Sequence, residues 1–409
     1  MTSGRSVEHS RTLSLLKFLS AAFVIFPALQ SCRAESSPPE TSGTDAVWAV
    51  STRPSLVIGV MDGDDAYQFS DLSAATRHAD GGWVVADAGS SMVRAFDSGG
   101  RFRMALGGAG SGPGEFVRPT QVFSRPDGSI VVWDEAAFRV TEFDPEGKLA
   151  DVRTFSRERV AQALEPPMYP ASGILASDGD LIVRLIVKTA DVPPGRFRRK
   201  SGALRVTADH SAIDTVMLFR DTEQVSVDLP KGRLALAPPL ARRTSIAVQP
   251  NEARLCIGDQ EQAEVTCFGP DGLPVLVRWE ANPVAVESSD PTVTSWRDSM
   301  MDLYAQKMSG EDADRILSRV PAPTERPPYT DLALDRDGNL WVKTGAASDG
   351  AASDTYLVFN SAGLPVVEPV SVPPVRILEI GADYMVGVAR DEFEVQYLQV
   401  FEIAKSHPQ

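Results

Sequence analysis

The sequence predicts an all-β chain. The expected fold is a six-bladed β-propeller of four-stranded antiparallel blades, with a short helical insertion between blades four and five. Three observations predict it. First, HADGGWVVADAGSSMVRAFDSGGRF (78–102) aligns with SRPDGSIVVWDEAAFRVTEFDPEGKL (124–149). Each has an Asp-Gly turn, a short β-rich strand ending in Asp, a gap, a strand ending in Phe-Asp, a Gly turn and a further strand. Asp87 thus matches Asp134, Phe96 matches Phe143 and Gly100 matches Gly147. Such turns between short β-rich runs are hairpin chemistry. Second, the pattern returns with drift in four later segments. Third, SLVIGV (55–60) is a strand with no unit of its own. It is placed to complete the sixth sheet and close the ring, which is how radially repeated sheets protect their edges.

The segments preceding the repeats read as an address. Arg5, Arg11 and Lys17 form a basic start to the apolar run FLSAAFVIFPAL (18–29), which is too short to span a bilayer. It ends in LQSC (29–32), which resembles the lipobox of bacterial lipoproteins. The resemblance implies a signal peptide over 1–31, lipidation at Cys32 and an anchored protein of the bacterial cell envelope, facing periplasm or exterior. Residues 32–46 are polar and Pro/Ser-rich, as a flexible tether is. The propeller is expected over 47–404, with 405–409 as a tail. The 409 residues carry a formal net charge of −15, which argues against nucleic acid as a partner.

LGGAGSGPGEFVRP (106–119) follows the first unit. Its glycines suggest a phosphate cradle, but Glu115 stands where a Walker loop needs Lys with Ser or Thr. A strand rather than a helix follows. The segment is therefore expected to carry the chain from the rim of one blade to the hub of the next. The third unit opens with SDGDLIVRLIV (177–187) and closes with ALRVTADHSAIDTVMLF (203–219). Between them PPGRFRRKSGALR (193–205) concentrates five bases and is expected to tip a hairpin. The fourth unit, 244–279, holds Cys256 and Cys267. A hairpin centred between Glu261 and Gln262 would set them opposite each other, so a cross-strand disulfide is expected in an oxidising compartment.

The insertion spans 288–328. Val293, Trp296, Met300, Leu303, Tyr304 and Met308 recur at helical spacing after Asp290-Pro291, a helix start, and a second helix is expected over 311–318. The stripe either docks a partner or packs on the propeller itself. The fifth unit follows at 331–345 and 355–370, and the sixth at 375–403.

These units resemble NHL-type repeats of bacterial exported six-bladed propellers. Asp134, Arg139, Val140 and Phe143 in VWDEAAFRVTEFD stand at the matching places, while Ala137 and Phe138 replace the Asn-His pair and Met92 replaces the first unit's Arg. The resemblance implies fold rather than activity, since propellers carry unrelated functions.

No catalytic constellation is legible. After the leader only His78, His210 and His407 remain, and His407 falls in the tail, which argues against a three-His zinc centre. Asn251, Asn282, Asn339 and Asn360 fall on turns or at the insert boundary, away from the positions where resembling lactonases hold a metal. DRDGN (335–339) and MDGDDAYQF (61–69) read as turns rather than calcium loops. No cofactor is predicted. Ca²⁺ or another divalent metal held by carboxylates stays open, and with it a lactonase-like hydrolase or lyase as the alternative to a binding scaffold. A site would lie where the innermost strands begin, around one channel mouth. The candidates are Asp71, Arg118, Gln121, Tyr169, Arg243, Tyr329, Asp331 and Arg376. Arg with Tyr in a concavity suits a small anionic or carbohydrate-like ligand. The same residues could instead form mutual salt bridges, and a protein partner is also open.

Overall fold

A computed structural model describes residues 47–406, apart from 163–168, 177–178, 187–191, 230–231, 250–253, 288 and 346–352. The leader, Cys32, the tether and His407 lie outside the described residues.

The second strands of the first two blades explain the architecture best. Trp83–Asp87 and Ile130–Asp134 are buried at every position. A strand covered on one face alternates inward apolar with outward polar residues; a strand covered on both faces reads as a continuous apolar run. Each blade is accordingly sandwiched between two others. Six antiparallel sheets result, with innermost strands Leu72–Arg77, Pro119–Ser124, Tyr169–Leu175, Ser245–Val248, Tyr329–Leu334 and Arg376–Ile380 for blades one to six.

Each junction between successive blades has its own apolar core. Val84, Val93, Phe116 and Val132 join blades one and two. Trp133, Phe155, Leu181 and Leu204 join two and three. Ile182 and Phe219 meet Leu255 and Ile257 between three and four. Val265, Val277, Tyr329 and Leu340 join four and five, and Trp341, Tyr356, Met385 and Phe401 join five and six. Trp83 and Leu72 meet Tyr384 and Val386 where six returns to one.

The ring closes as expected, and with more than the expected strand. Leu56–Ile58 pairs antiparallel with the last strand, Gln396–Ser406, and so does Val47–Val50 further along it. Two segments from before blade one therefore complete blade six. The last strand runs beyond the expected boundary at 404. Lys405 pairs with Trp48 in register, and its ammonium lies 2.8 Å from the Asp337 carboxylate and over the Trp48 ring. Tertiary pairing holds a position that sequence pattern assigned to a tail.

Blade three departs from the four-strand plan, with five strands. The basic run does not tip a hairpin. It lies in the strand Arg196–Val206, paired over its length with the 17-residue strand Ile213–Leu229. Three of its five bases pair with carboxylates: Arg196 with Glu223, Arg198 with Glu261 at 2.7 Å, and Arg205 with Asp180. Runs of arginine read as loop in sequence, yet partners on the neighbouring strand and blade let Arg196 and Arg198 sit in a paired strand.

A five-residue helix α1 (Arg157–Ala161) follows blade two. The insertion forms α2 (Pro291–Ala305) and α3 (Gly310–Leu317). Asp290 caps α2 by accepting from the Thr292 amide, and Ser309 caps α3 by accepting from the Asp312 amide. Trp296, Met300, Tyr304 and Met308 pack with Ile316 and Leu317 on Val227 and Leu236, in the two last strands of blade three. The stripe therefore covers this chain's own surface, while Leu303 stays exposed. Cys256 and Cys267 are opposite in register and joined by a disulfide.

Candidate functional site

Carboxylates at the ends of the second strands prepare the channel mouth. The buried Asp87 accepts from the amides of Ser70 and Asp71 at 3.2 and 2.8 Å and from the Ser90 hydroxyl at 2.7 Å. Burial works to raise its pKa, but the hydrogen bonds and Arg94 outweigh that and hold it below the ordinary aspartate value. The matching Asp134 accepts from Val117 N at 2.7 Å, Arg118 N at 3.1 Å and Ala137 N at 3.0 Å. Each acid thus clamps the backbone just before its own blade's innermost strand.

The glycine-rich segment is the other half of this clamp. Arg139 donates to the carbonyls of Ser111, at 3.0 Å, and of Glu115. The Glu115 carboxylate turns back to accept from Gly112 N at 2.7 Å. Gly114 has φ +78°, and a Cβ on Gly107 would meet the Gly114 carbonyl oxygen at 2.3 Å, so both positions require glycine. The segment crosses from blade one to blade two, with Phe116 fully buried beneath it.

Asp71 and Arg118, held just before the innermost strands of blades one and two, pair at 3.5 Å, and Arg118 also lies 3.9 Å from Glu135. Burial raises the Glu135 pKa against the pull of Arg118 and Arg157. Tyr169 begins the innermost strand of blade three and is exposed.

Across the mouth, blades four to six enclose a cleft of about 610 Å³. Arg243, Asp331 and Arg376 line it, three of the eight sequence candidates. Lys343 and Asp354, paired at 2.7 Å, and Tyr356 come from the second and third strands of blade five. Thr292 and Arg326 come from the two ends of the insertion, where Arg326 holds Asp290 at 2.7 Å. The hydroxyls of Thr330 and Thr344 are buried, and among the described residues they have no hydrogen-bond partner. Buried hydroxyls are normally satisfied, so water or a ligand is the expected partner.

Asp331 is the electrostatic centre of the cleft. Its side chain is exposed to the cleft, and the surrounding protein raises its pKa by desolvation. Leu332 N, at 2.9 Å, Lys343, Arg376 and Arg243 pull the other way. Enclosure lowers the Arg376 pKa, opposed by Asp71 and Asp331. The Arg376 guanidinium also donates to the Leu72 carbonyl. Arg376 thus connects the two halves of the mouth. Among the described residues, Arg243 has no carboxylate within ion-pair distance.

Two candidates do not face a ligand. Tyr329 is fully buried between blades four and five, where its hydroxyl accepts from Gln260 N at 3.0 Å. It starts an innermost strand, but the bulge between Tyr329 and Asp331 turns it into the inter-blade core. Gln121 accepts from Leu175 N at 2.8 Å and ties blade two to blade three. Sequence reasoning missed Lys343, Asp354, Tyr356 and Arg326, because they reach the cleft from the second and third strands and from the insertion. The scarcity of lysine in strand interiors was the one signal pointing to Lys343.

A divalent metal does not fit this donor set. Asp71 faces Arg118, Asp354 faces Lys343 and Asp331 faces three cations. Among the described residues no three His, Cys, Asp or Glu side chains converge. DRDGN is a turn: Asp335 is buried and accepts from Asp337 N, Asn339 N and the Trp341 indole. Asp64 caps a single helical turn.

No family model matches the sequence, and no curated protein matches it. Solved structures do match. A member of the DUF4221 family from Bacteroides vulgatus superposes with a TM-score of 0.51 at 8% identity, over 88% of this chain and 99% of that one. The likeness is one of fold. Regucalcin from Agrobacterium tumefaciens, a calcium-binding protein, gives 0.39 at 12% identity, over 83% of this chain and 92% of that one. A gluconolactonase from Xanthomonas campestris gives 0.39 at 13%, over 82% and 88%. At those scores neither bears on the chemistry of this chain.

Proposed function

We propose that this chain is an exported, membrane-anchored propeller that binds a small anionic ligand, acidic carbohydrates included, in the cleft between blades four and six. One observation carries the reading. Arg243, Arg376, Lys343 and Arg326 converge on one concavity of a protein whose formal net charge is −15. Two of these cations already have carboxylate partners, Lys343 with Asp354 and Arg326 with Asp290. Arg243 and the remaining donors of Arg376 are left for the ligand, and Asp331 lines the same cleft. Guanidinium groups in an enclosed site bind carboxylates and oxyanions strongly and with fixed geometry. The disulfide supports an oxidising compartment, and the lipobox-like LQSC supports anchoring through Cys32.

The test is calorimetric titration of the purified chain with sulfate, citrate and glucuronate, beside Arg243→Gln. Saturable binding of one of them, weakened about tenfold or more in the variant, is expected, since a hydrogen bond to a charged group contributes about 1.5–3 kcal/mol. Absence of binding by any of the three, with stoichiometric tightly held divalent metal in the purified chain, would overturn the reading in favour of a metal-dependent hydrolase or lyase.

A further inference from the structure

We propose that the cleft takes its anion together with one proton, and that the proton goes to Asp331. This rests on the anion-binding reading above and adds how that site is regulated. The geometry is that of a built-in competitor. Asp331 lies in the same cleft as Arg243, Lys343 and Arg376, and all three cations act on its carboxylate. An anion that reaches Arg243 and Arg376 therefore enters a cleft that a carboxylate already lines. Like charges sharing one enclosed site raise the proton affinity of the group able to accept a proton.

Asp331 is that group. On its own strand it faces only the Leu332 amide. From the second strand of blade five it faces Lys343, whose ammonium is held at 2.7 Å by Asp354 from the third strand. From the third strand also comes Tyr356, a phenol that burial and the charges of Asp331 and Asp354 keep protonated. Arg376 comes from blade six, and Arg243 from the connector entering blade four. Asp354 is committed to Lys343, and Asp71 to Arg118 outside the cleft. Enclosure already raises the Asp331 pKa in the free protein, and an arriving anion raises it further.

The sign follows from linkage. Binding takes up a proton at any pH between the free and ligand-bound pKa of Asp331, so affinity rises as pH falls through that window. The limit is tenfold per pH unit for one proton. Protonated Asp331 loses no hydrogen bond from Leu332, since one oxygen still accepts. Its new O–H donates to the ligand.

The experiment uses sulfate and glucuronate as probes, from about pH 5 to about pH 8, above the ordinary range of carboxylates. Wild-type affinity is expected to rise toward low pH, with uptake of up to one proton when heats are compared in two buffers of different ionisation enthalpy. Asp331→Asn, with folding checked by circular dichroism, is expected to bind several-fold tighter at the upper end and to lose the pH dependence. An Asp331→Asn protein that binds more weakly, or keeps the wild-type slope, overturns the inference and leaves anion binding standing. A wild-type chain that binds neither probe at any pH overturns the underlying reading as well. Should the variant not fold, zero proton uptake by the wild type overturns the inference by itself.

Discussion

Asp134 shows how one side chain places a site it does not belong to. It is fully buried, and its carboxylate accepts from three backbone amides, at Val117, Arg118 and Ala137. Removing it leaves those donors unsatisfied and frees the connector that aims Arg118 at the mouth. Asp134→Ala is expected to cost about 3 kcal/mol or more, read as a lowered urea midpoint. A change within about 0.5 kcal/mol would mean that the clamp is not needed. The repeat alignment marks Asp87 and Asp134 as equivalent. It does not say that they hold amides rather than ligands, because an Asp at a strand end suits either role. Tyr329 makes the complementary point. Its position along the strand was legible, but the face on which its ring lies depends on the bulge between Tyr329 and Asp331. A one-residue shift of register exchanges core for channel.

At the scale of elements, the hairpin of blade four was readable from spacing alone. Cys256 and Cys267 are equidistant from the turn, so antiparallel pairing places them opposite. Closing an eleven-residue separation contributes at most ~3 kcal/mol. Replacing both with Ala is expected to lower stability by less than that and to remove its dependence on reductant, measured by urea unfolding with and without dithiothreitol. An unchanged midpoint in reductant for the native chain would show that the bond is not formed in solution. The insertion was readable as two helices from periodicity and caps. Its docking place was not: the apolar stripe states that something covers it, while the covering surface is the extended hairpin of blade three, some sixty residues earlier. Two departures from the repeat thus pack on each other, and the ends of the insertion, Thr292 and Arg326, wall the cleft.

At the scale of the whole molecule, closure depends on the first described residues. Trp48, Val50 and Ile58 are buried against blade six and its neighbours. Each large apolar side chain contributes about 1.5–3 kcal/mol on burial, so the three together contribute roughly 5–9 kcal/mol. That is comparable with the net stability of an ordinary domain. A chain beginning after residue 58 is therefore expected to lose its single cooperative melting transition in scanning calorimetry. A truncated chain that melts like the full one would show that the ring closes without these strands.

The sequence by itself determined the repeat, the number of blades, the helical insertion, the cysteine pairing and the order in which strands follow one another. These are local: turn residues, alternation and spacing act over a few residues and leave their mark in the chain. The tertiary structure alone decided which candidates meet. Arg243, Asp331 and Arg376 share a cleft, whereas Asp71 pairs with Arg118, Tyr329 joins the core and Gln121 bridges blades. The physical reason is that a ring sets residues from distant blades side by side through closure and register. Neither quantity is written in any one segment, and the charge that each site residue feels comes from partners far away in the chain.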